Sequence, residues 1–319
     1  MAPEVDKQPK PARFKRLALI GVGLIGSSIA RATKRADLAD NIVGCARTPK
    51  TRDKALELGI VDAMYENPAE AVAGADLVII CSHLGSYVSV GKAIAASLAP
   101  GAIVTDVGSV KGCVARDLGP HIPDGVHLVP GHPVSGSEKS GPEAGFETLF
   151  DDRWWILTPD ETADGAAVQR LAAYVQALGS RVEIMAAERH DLVLAITSHL
   201  PHLIAYNIVS TADDMETVTQ GEVVKYSAGG FRDFTRIAAS DPEFWRDVFL
   251  NNRDAVLETL GRFTEDLIAL QRSIRWGEGD DLLRVFSQSR DIRQRIIQAG
   301  QDTEAPNFGR QGEASTEAD

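Results

Sequence analysis

Cysteine is scarce in this 319-residue chain: three residues, Cys45, Cys81 and Cys113, with no CxxC spacing among them. That excludes a disulfide framework and the usual zinc-site patterns, and leaves three small thiols to be buried. Positive charge is also short, with 33 Lys and Arg against 45 Asp and Glu, a net charge of -12. Such a balance argues against nucleic acid or an anionic membrane as partner, and it requires local cations wherever an anionic ligand binds. Uninterrupted apolar runs of the length that spans a bilayer are missing, and the polar start "MAPEVDKQPKPARFKR" lacks the apolar stretch of a secretory signal. A cytoplasmic chain is expected. Lysine nearly vanishes from the second half, where Lys225 is the only one after residue 188.

Short Val, Ile and Leu runs are plentiful in the first half: "RLALIG" at 16–21, "NIVGCA" at 41–46, "DLVIICS" at 76–82, "AIVTDVG" at 102–108, "VHLVP" at 126–130, "WWILTP" at 154–159 and "VEIM" at 182–185. Helical segments lie between many of them, at 52–58, 68–73, 86–98 and 163–178. Alternation of this kind predicts an α/β fold with a parallel sheet covered on both faces. From about residue 188 the strand pattern stops and helices are expected over 188–212, 214–227, 242–274 and 279–299. In "SDPEFW", Ser240 or Asp241 offers an N-cap ahead of Pro242. The expected plan is a dinucleotide-binding Rossmann-type domain over 15–187 followed by an all-helical domain over 188–300. The polar ends, 1–14 and 301–319, are expected to be disordered.

"LALIGVGLIGSSIARA" sets Gly21, Gly23 and Gly26 in G-x-G-x-x-G order after an apolar strand and at the opening of a helix. In that context the glycines permit a tight turn and close approach to a pyrophosphate, which meets the free N–H groups of the helix start. Gly21, Val22, Gly23, Leu24, Ile25 and Gly26 are therefore the expected cofactor loop. The next strand ends in "CARTPKTRDK", with Arg47 where an NAD site usually carries Asp or Glu. Arg47, Lys50, Arg52 and Lys54 suit a 2′-phosphate, so the lean is to NADP with NAD open. Ser82, at the end of "DLVIICS", and Ser109, in the turn of "DVGSVKG", lie at the sheet edge where cofactor and substrate meet. "PGHPVSGSEKSG" delivers His132 to the same edge.

These motifs, "GVGLIGSSIA" (21–30), "DVGSVKG" (106–112), "PGHPVSGSEKSGP" (130–142), "HDLVLAITSHLPH" (190–202) and "GGFRDFTRIAASDPEFWRDVF" (229–249), together resemble the prephenate and arogenate dehydrogenases of tyrosine biosynthesis. The resemblance implies NAD(P)-dependent oxidative decarboxylation of a cyclohexadienol, with His132 as catalytic histidine and Ser109 orienting it and the substrate hydroxyl. It implies Arg236 as the substrate-carboxylate arginine and Glu138 as an acidic residue ordering the site. Ser135, His199, His202, Gly229 and Arg232 complete the expected substrate contacts. His199 and His202, three apart, share a helix face, and Pro201 between them frees backbone acceptors nearby. With no further ligand signalled, no metal site is expected. A homodimer through the helical domain is expected in keeping with the family. Two other readings use the same architecture: a β-hydroxyacid dehydrogenase, for whose helical-domain lysine Lys225 is the one candidate, and a non-catalytic Rossmann-type redox sensor, which needs no His132, Ser109 and Arg236 set.

Overall fold

The computed structural model describes residues 13–137, 139–219, 227 and 229–298. The expected disordered ends fall almost wholly outside these residues, as do Glu138 and Lys225. Packing divides the chain into two compact units, one through Thr259 and one from Leu260.

Six parallel strands form the main sheet: β1 (Phe14–Ile20), β2 (Ala39–Cys45), β3 (Ala63–Tyr65), β4 (Leu77–Ile80), β5 (Ile103–Asp106) and β6 (His127–Leu128), in the order β3-β2-β1-β4-β5-β6. Every residue of β4 and β5 is buried. Continuous apolar runs are what a sheet covered on both faces requires. The crossovers are α1 (Leu24–Arg35), α2 (Pro49–Glu57), α3 (Pro68–Val72), α4 (Tyr87–Ile94) and α5 (Gly112–Asp117). The order reverses beside β1, the switch point at which ligands bind in open α/β sheets.

The three remaining strands depart from the expected single sheet. β7 (Gly131–Pro133), β8 (Trp154–Leu157) and β9 (Arg181–Ile184) make a separate sheet in which β7 and β8 are antiparallel and His132 faces Ile156 in register. The run at 126–130 ends early because Pro130 has no N–H for the ladder; its carbonyl instead accepts from Thr158 N–H at 2.9 Å. Between β8 and β9 lies α6 (Gly165–Ala177), capped by the Asp164 carboxylate on Ala167 N–H. The apolar pattern marked β8 and β9 as strands but carried no information about which sheet they join.

After β9 the described residues are helical. α7 (Ala187–Leu194) runs through a π turn (Ala195–His199) into α8 (Leu200–Thr219), so the break expected near 213 is absent. α9 (Gly229–Thr235) is followed by a 3₁₀ turn, Arg236–Ala239. α10 (Pro242–Asn251) starts at Asp241, whose carboxylate accepts from Phe244 N–H at 2.9 Å as the N-cap. α11 (Arg253–Trp276) and α12 (Gly279–Gln298) follow. The single helix expected over 242–274 is therefore two, broken at Asn252.

One helical run, Ala187–Met215, is long and apolar enough by length and composition to cross a membrane, with a mean hydropathy of 1.5 over eighteen residues. The expectation that no apolar stretch approaches the length of a bilayer span is corrected here by length and composition alone, and 22% of the apolar window is buried. His190, Asp191 and His199 are buried and hydrogen-bonded inside the protein. At these positions the helix packs against protein, while Leu192, Val193, Ile196, Ile208 and Val209 along it are exposed.

Candidate active site

The first element of the site is the turn between β1 and α1. Gly21 has φ of +103°, and a Cβ there would stand 2.8 Å from the Cys81 carbonyl oxygen. A Cβ on Gly26 would overlap the Gly21 carbonyl oxygen, whereas one on Gly23 would meet nothing within 4 Å. Gly23 is the N-cap of α1 and has no side chain to satisfy the first N–H groups of the helix. Two glycines thus bring turn, strand and helix into contact, and the third leaves open space before unsatisfied donors. That geometry fits a pyrophosphate. Gly23→Ala should fold normally yet weaken dinucleotide binding at least tenfold, while Gly26→Ala should lower stability as well; titration of cofactor fluorescence together with thermal melting separates the two.

At the end of β2, Arg47 and Lys50 are exposed and make no ion pair among the described residues. Arg52 is occupied otherwise: it donates to the Ala46 and Arg47 carbonyls at 2.8 and 2.9 Å and pairs with Glu66. Lys54 pairs with Glu57. Of the four cations in the expected cluster, two are thus committed to the fold. Ser82, at the end of β4, accepts a hydrogen bond from Ser86 Oγ at 2.8 Å. The same loop is tied to α10, whose Asp247 carboxylate accepts from Gly85 N–H at 3.0 Å.

β5 ends in Asp106, a fully buried carboxylate. It forms an ion pair with the buried Lys111 and accepts from Tyr87 O–H at 2.8 Å, Gly108 N–H at 2.8 Å and Gly131 N–H at 3.2 Å. Lys111 Nζ also donates to the Gly131 carbonyl at 2.6 Å. The pair therefore grips both backbone polar groups of Gly131, the residue immediately before His132. Burying two charges is tolerable only when the remaining donors and acceptors are filled, as they are here.

His132 is 7% exposed, and its Nδ1 lies 2.8 Å from His190 Nε2. His190 Nδ1 lies 2.7 Å from Asp191 Oδ1. The Asp191 carboxylate also accepts from the N–H groups of Lys111 and Gly112 at 2.7 and 2.8 Å, which ties α7 to the start of α5. His132 Nε2 makes no hydrogen bond to any described residue, nor does Ser109 Oγ bond to His132. The ring is held by His190. Burial first, then the charges of His190, Lys111 and His199, hold the His132 pKa well below the ordinary histidine value, so the ring is neutral near pH 7.

The helical region supplies a second pair of rings. Pro201 has no N–H to give, and the helix passes through its π turn just before it; π turns of this kind recur at functional sites. The Ser198 carbonyl accepts from His202 Nδ1 at 2.9 Å. His202 stacks on Trp245 with ring centroids 3.6 Å apart, and the charge of Arg236 helps to depress its pKa, after burial. His199 is fully buried, with Trp245 at its edge, and its Nδ1 lies 3.1 Å from Asn252 Nδ2. The same amide donates to the Asp191 carbonyl at 2.8 Å. His199 Nε2 has no hydrogen-bond partner among the described residues, and the nearby Ser109 backbone favours its charged form.

Burial pushes the His199 pKa down to about 4. Unfolded histidine titrates near 6.5, so the unfolded chain binds protons first as pH falls. The folded state keeps its full advantage above 6.5 and loses about 3 kcal/mol from this one ring as pH drops to 4. Urea unfolding at pH 7.5, 6 and 5 should show that decline, and His199→Gln should shrink it; an equal slope in both proteins would contradict the assignment.

His132, His190, Asp191, Asn252, His199, Trp245 and His202 thus form one continuous cluster of contacts, with the Arg236 charge acting on His202 and the Ser109 backbone on His199. Ser135 Oγ is buried without a partner, and no hydrogen bond or ring contact ties it to that cluster. Arg232 is exposed and pairs with its neighbour Asp233, and Gly229 is exposed at the start of α9. Sequence reasoning missed Asp106, Lys111, His190, Asp191 and Asn252. The first four lie inside quoted motifs, and a buried-charge requirement in "DVGSVKG" and "HD" was the available signal; Asn252 had none.

Residues 29–184 match the family model of the prephenate dehydrogenase nucleotide-binding domain, and residues 186–288 that of the prephenate dehydrogenase dimerization domain. The chain belongs to the prephenate dehydrogenase family. It is 42% identical to cyclohexadienyl dehydrogenase of Zymomonas mobilis over 88% of this chain and 95% of that one. Against prephenate dehydrogenase of Bacillus subtilis the identity is 33%, over 87% of this chain and 75% of the relative. The crystal structure of prephenate dehydrogenase from A. aeolicus in complex with hydroxyphenyl propionate and NAD+ superposes with a TM-score of 0.82 at 33% identity, covering 88% of this chain and 98% of that one. In this family the dinucleotide domain and the helical region belong to one oxidoreductase, which sets aside the redox-sensor and β-hydroxyacid readings.

Proposed function

We propose that this chain oxidises prephenate, arogenate or both, with loss of carbon dioxide, and that His132 is its general base. The observation that carries the proposal is the His132 ring itself: fixed through Nδ1 by His190, with no described partner at Nε2, and held toward its neutral form by burial. Bound NAD(P)+ at the Gly21–Gly26 turn supplies the hydride acceptor. His132 Nε2 takes the proton of the C4 hydroxyl as the C4–H bond breaks, so that the C–O bond gains double-bond character. The C1–carboxylate bond then breaks, carbon dioxide leaves, and its electron pair makes the ring aromatic. His132 returns the proton to the phenolic oxygen, and no net proton is gained or lost by the protein. Ser109 orients the hydroxyl. Arg236 binds a substrate carboxylate, with His202 beside it and the Trp245 face behind. A guanidinium suits that role because it holds a carboxylate through two hydrogen bonds.

The finer preference proposed is for NADP, with the 2′-phosphate between Arg47 and Lys50. Both are exposed at the end of β2 and carry no ion pair among the described residues, whereas Arg52 and Lys54 are committed elsewhere. A homodimer is proposed through the helical region. Its support is the match to the dimerization domain and the apolar side chains left exposed after Leu260, among them Leu267, Ile274, Trp276, Leu283 and Phe286. Steady-state kinetics with prephenate and arogenate, each with NAD+ and NADP+, test the reading. Turnover of at least one substrate is expected, faster with NADP+; no reduction of either cofactor by either substrate would refute it.

A further inference from the structure

We propose that His190 and Asp191 are positioning residues that fix the His132 ring in the tautomer whose proton sits on Nδ1 and whose lone pair sits on Nε2. The inference rests on His132 as the base and concerns what makes it one. Its starting point is the direction of each hydrogen bond. Asp191 is a carboxylate whose Oδ1 already accepts from Lys111 N–H and whose Oδ2 accepts from Gly112 N–H. Toward His190 it acts as acceptor, so His190 Nδ1 carries a proton and donates. A neutral His190 then has only a lone pair at Nε2. His132 Nδ1, 2.8 Å away, must be the donor, which leaves His132 Nε2 bare. One carboxylate thereby dictates the protonation pattern of two rings in series, the second at a distance it does not touch.

Other groups around these rings favour the same pattern. His132 faces the charge of Lys111 and the rings of His190 and His199, and His190 faces Lys111, Asp106 and Asp191. Lys111 and burial disfavour a second proton on either ring, so the neutral forms persist. The two rings meet edge to face, with centroids 5.0 Å apart and planes at 73°, and neither is free to flip without losing its partner. When His132 takes a proton, the charge is shared along the hydrogen bond to His190 and faces the Asp191 carboxylate. A carboxylate used in this way stabilises an imidazolium without itself being protonated.

Three variants of the full-length protein, prepared with 15N-labelled histidine, test the assignment. His190→Phe removes the acceptor, His190→Gln retains an amide oxygen able to accept from His132 Nδ1, and Asp191→Asn places an amide where the donors on α5 and His190 converge. Expected are a wild-type His132 with unprotonated Nε2, identified by comparison with His132→Asn, and a shift of that proton to Nε2 in Asp191→Asn. In His190→Phe, kcat should fall about 10²-fold or more with substrate KM within threefold and dinucleotide binding unchanged, and His190→Gln should recover at least tenfold of the loss. The proposal is overturned if wild-type His132 carries its proton on Nε2, if His190→Phe keeps kcat within threefold, or if the Phe and Gln variants are equally impaired. The tautomer is read without turnover. A wild-type protein that oxidised neither substrate would overturn the reaction proposed above and leave the spectrum to decide the alignment of the rings.

Discussion

Replacing His132 with Asn is expected to lower kcat about 10³-fold while substrate KM changes by less than threefold. Loss of a positioned general base typically removes 10²- to 10⁴-fold in rate, and binding of the substrate carboxylates at Arg236 is untouched by the change. Asn is smaller than His but keeps a polar group toward His190, so no bare cavity is made beside a buried ring. The wild-type pH profile should carry the complementary signature. Activity needs neutral His132, and burial lowers its pKa, so kcat/KM should stay level as pH falls past 6.5 and decline only below it. Circular dichroism and dinucleotide affinity establish that the variant is folded. A folded His132→Asn protein with undiminished turnover would remove His132 from the chemistry.

Lys111→Met is expected to cost 3 to 5 kcal/mol of stability, on the order of what removing one partner of a buried ion pair costs. Asp106 would keep its three donors, Tyr87 O–H and the amides of Gly108 and Gly131, but lose the cation that neutralises it. The Gly131 carbonyl would lose its donor as well. The effect should reach the site, because that carbonyl belongs to the residue before His132. Urea unfolding measures the loss. The double variant Asp106→Asn/Lys111→Met should regain part of it, since no uncompensated charge remains. A single variant within 1 kcal/mol of wild type would show that the pair does not hold the strand.

The strand and helix alternation of the first half, the glycine turn and the end of the sheet it serves were all legible in the sequence, because each rests on local pattern. The runs around "LVII" and "IVTD" read as buried strands, and the Ser240-Asp241-Pro242 start placed the beginning of α10 to within one residue. The partition into two sheets was not legible. β7 has three residues, and antiparallel pairing with β8 arises from tertiary register that no local period encodes. The site divides along the same line. His132, His199, His202 and Arg236 stand out as residue types in a motif, whereas Lys111 and Asp191 look like ordinary surface charges until burial is known. Arg232 was the reverse case: four residues from Arg236, it shared a predicted helix face, but α9 gives way to a 3₁₀ turn at Arg236 and Arg232 pairs at the surface with Asp233.

The break between α10 and α11 has a consequence for attempts to make this protein more robust. A standard route to thermal stability is to idealise helices by filling interruptions with strong helix formers. The interruption here is Asn252, whose amide steadies both the Asp191 backbone and the His199 ring. Regularising the chain at this point would gain helical continuity at the expense of the alignment of two histidines more than fifty residues away in sequence. Local disorder of the secondary structure is thus where long-range order of the active site is kept.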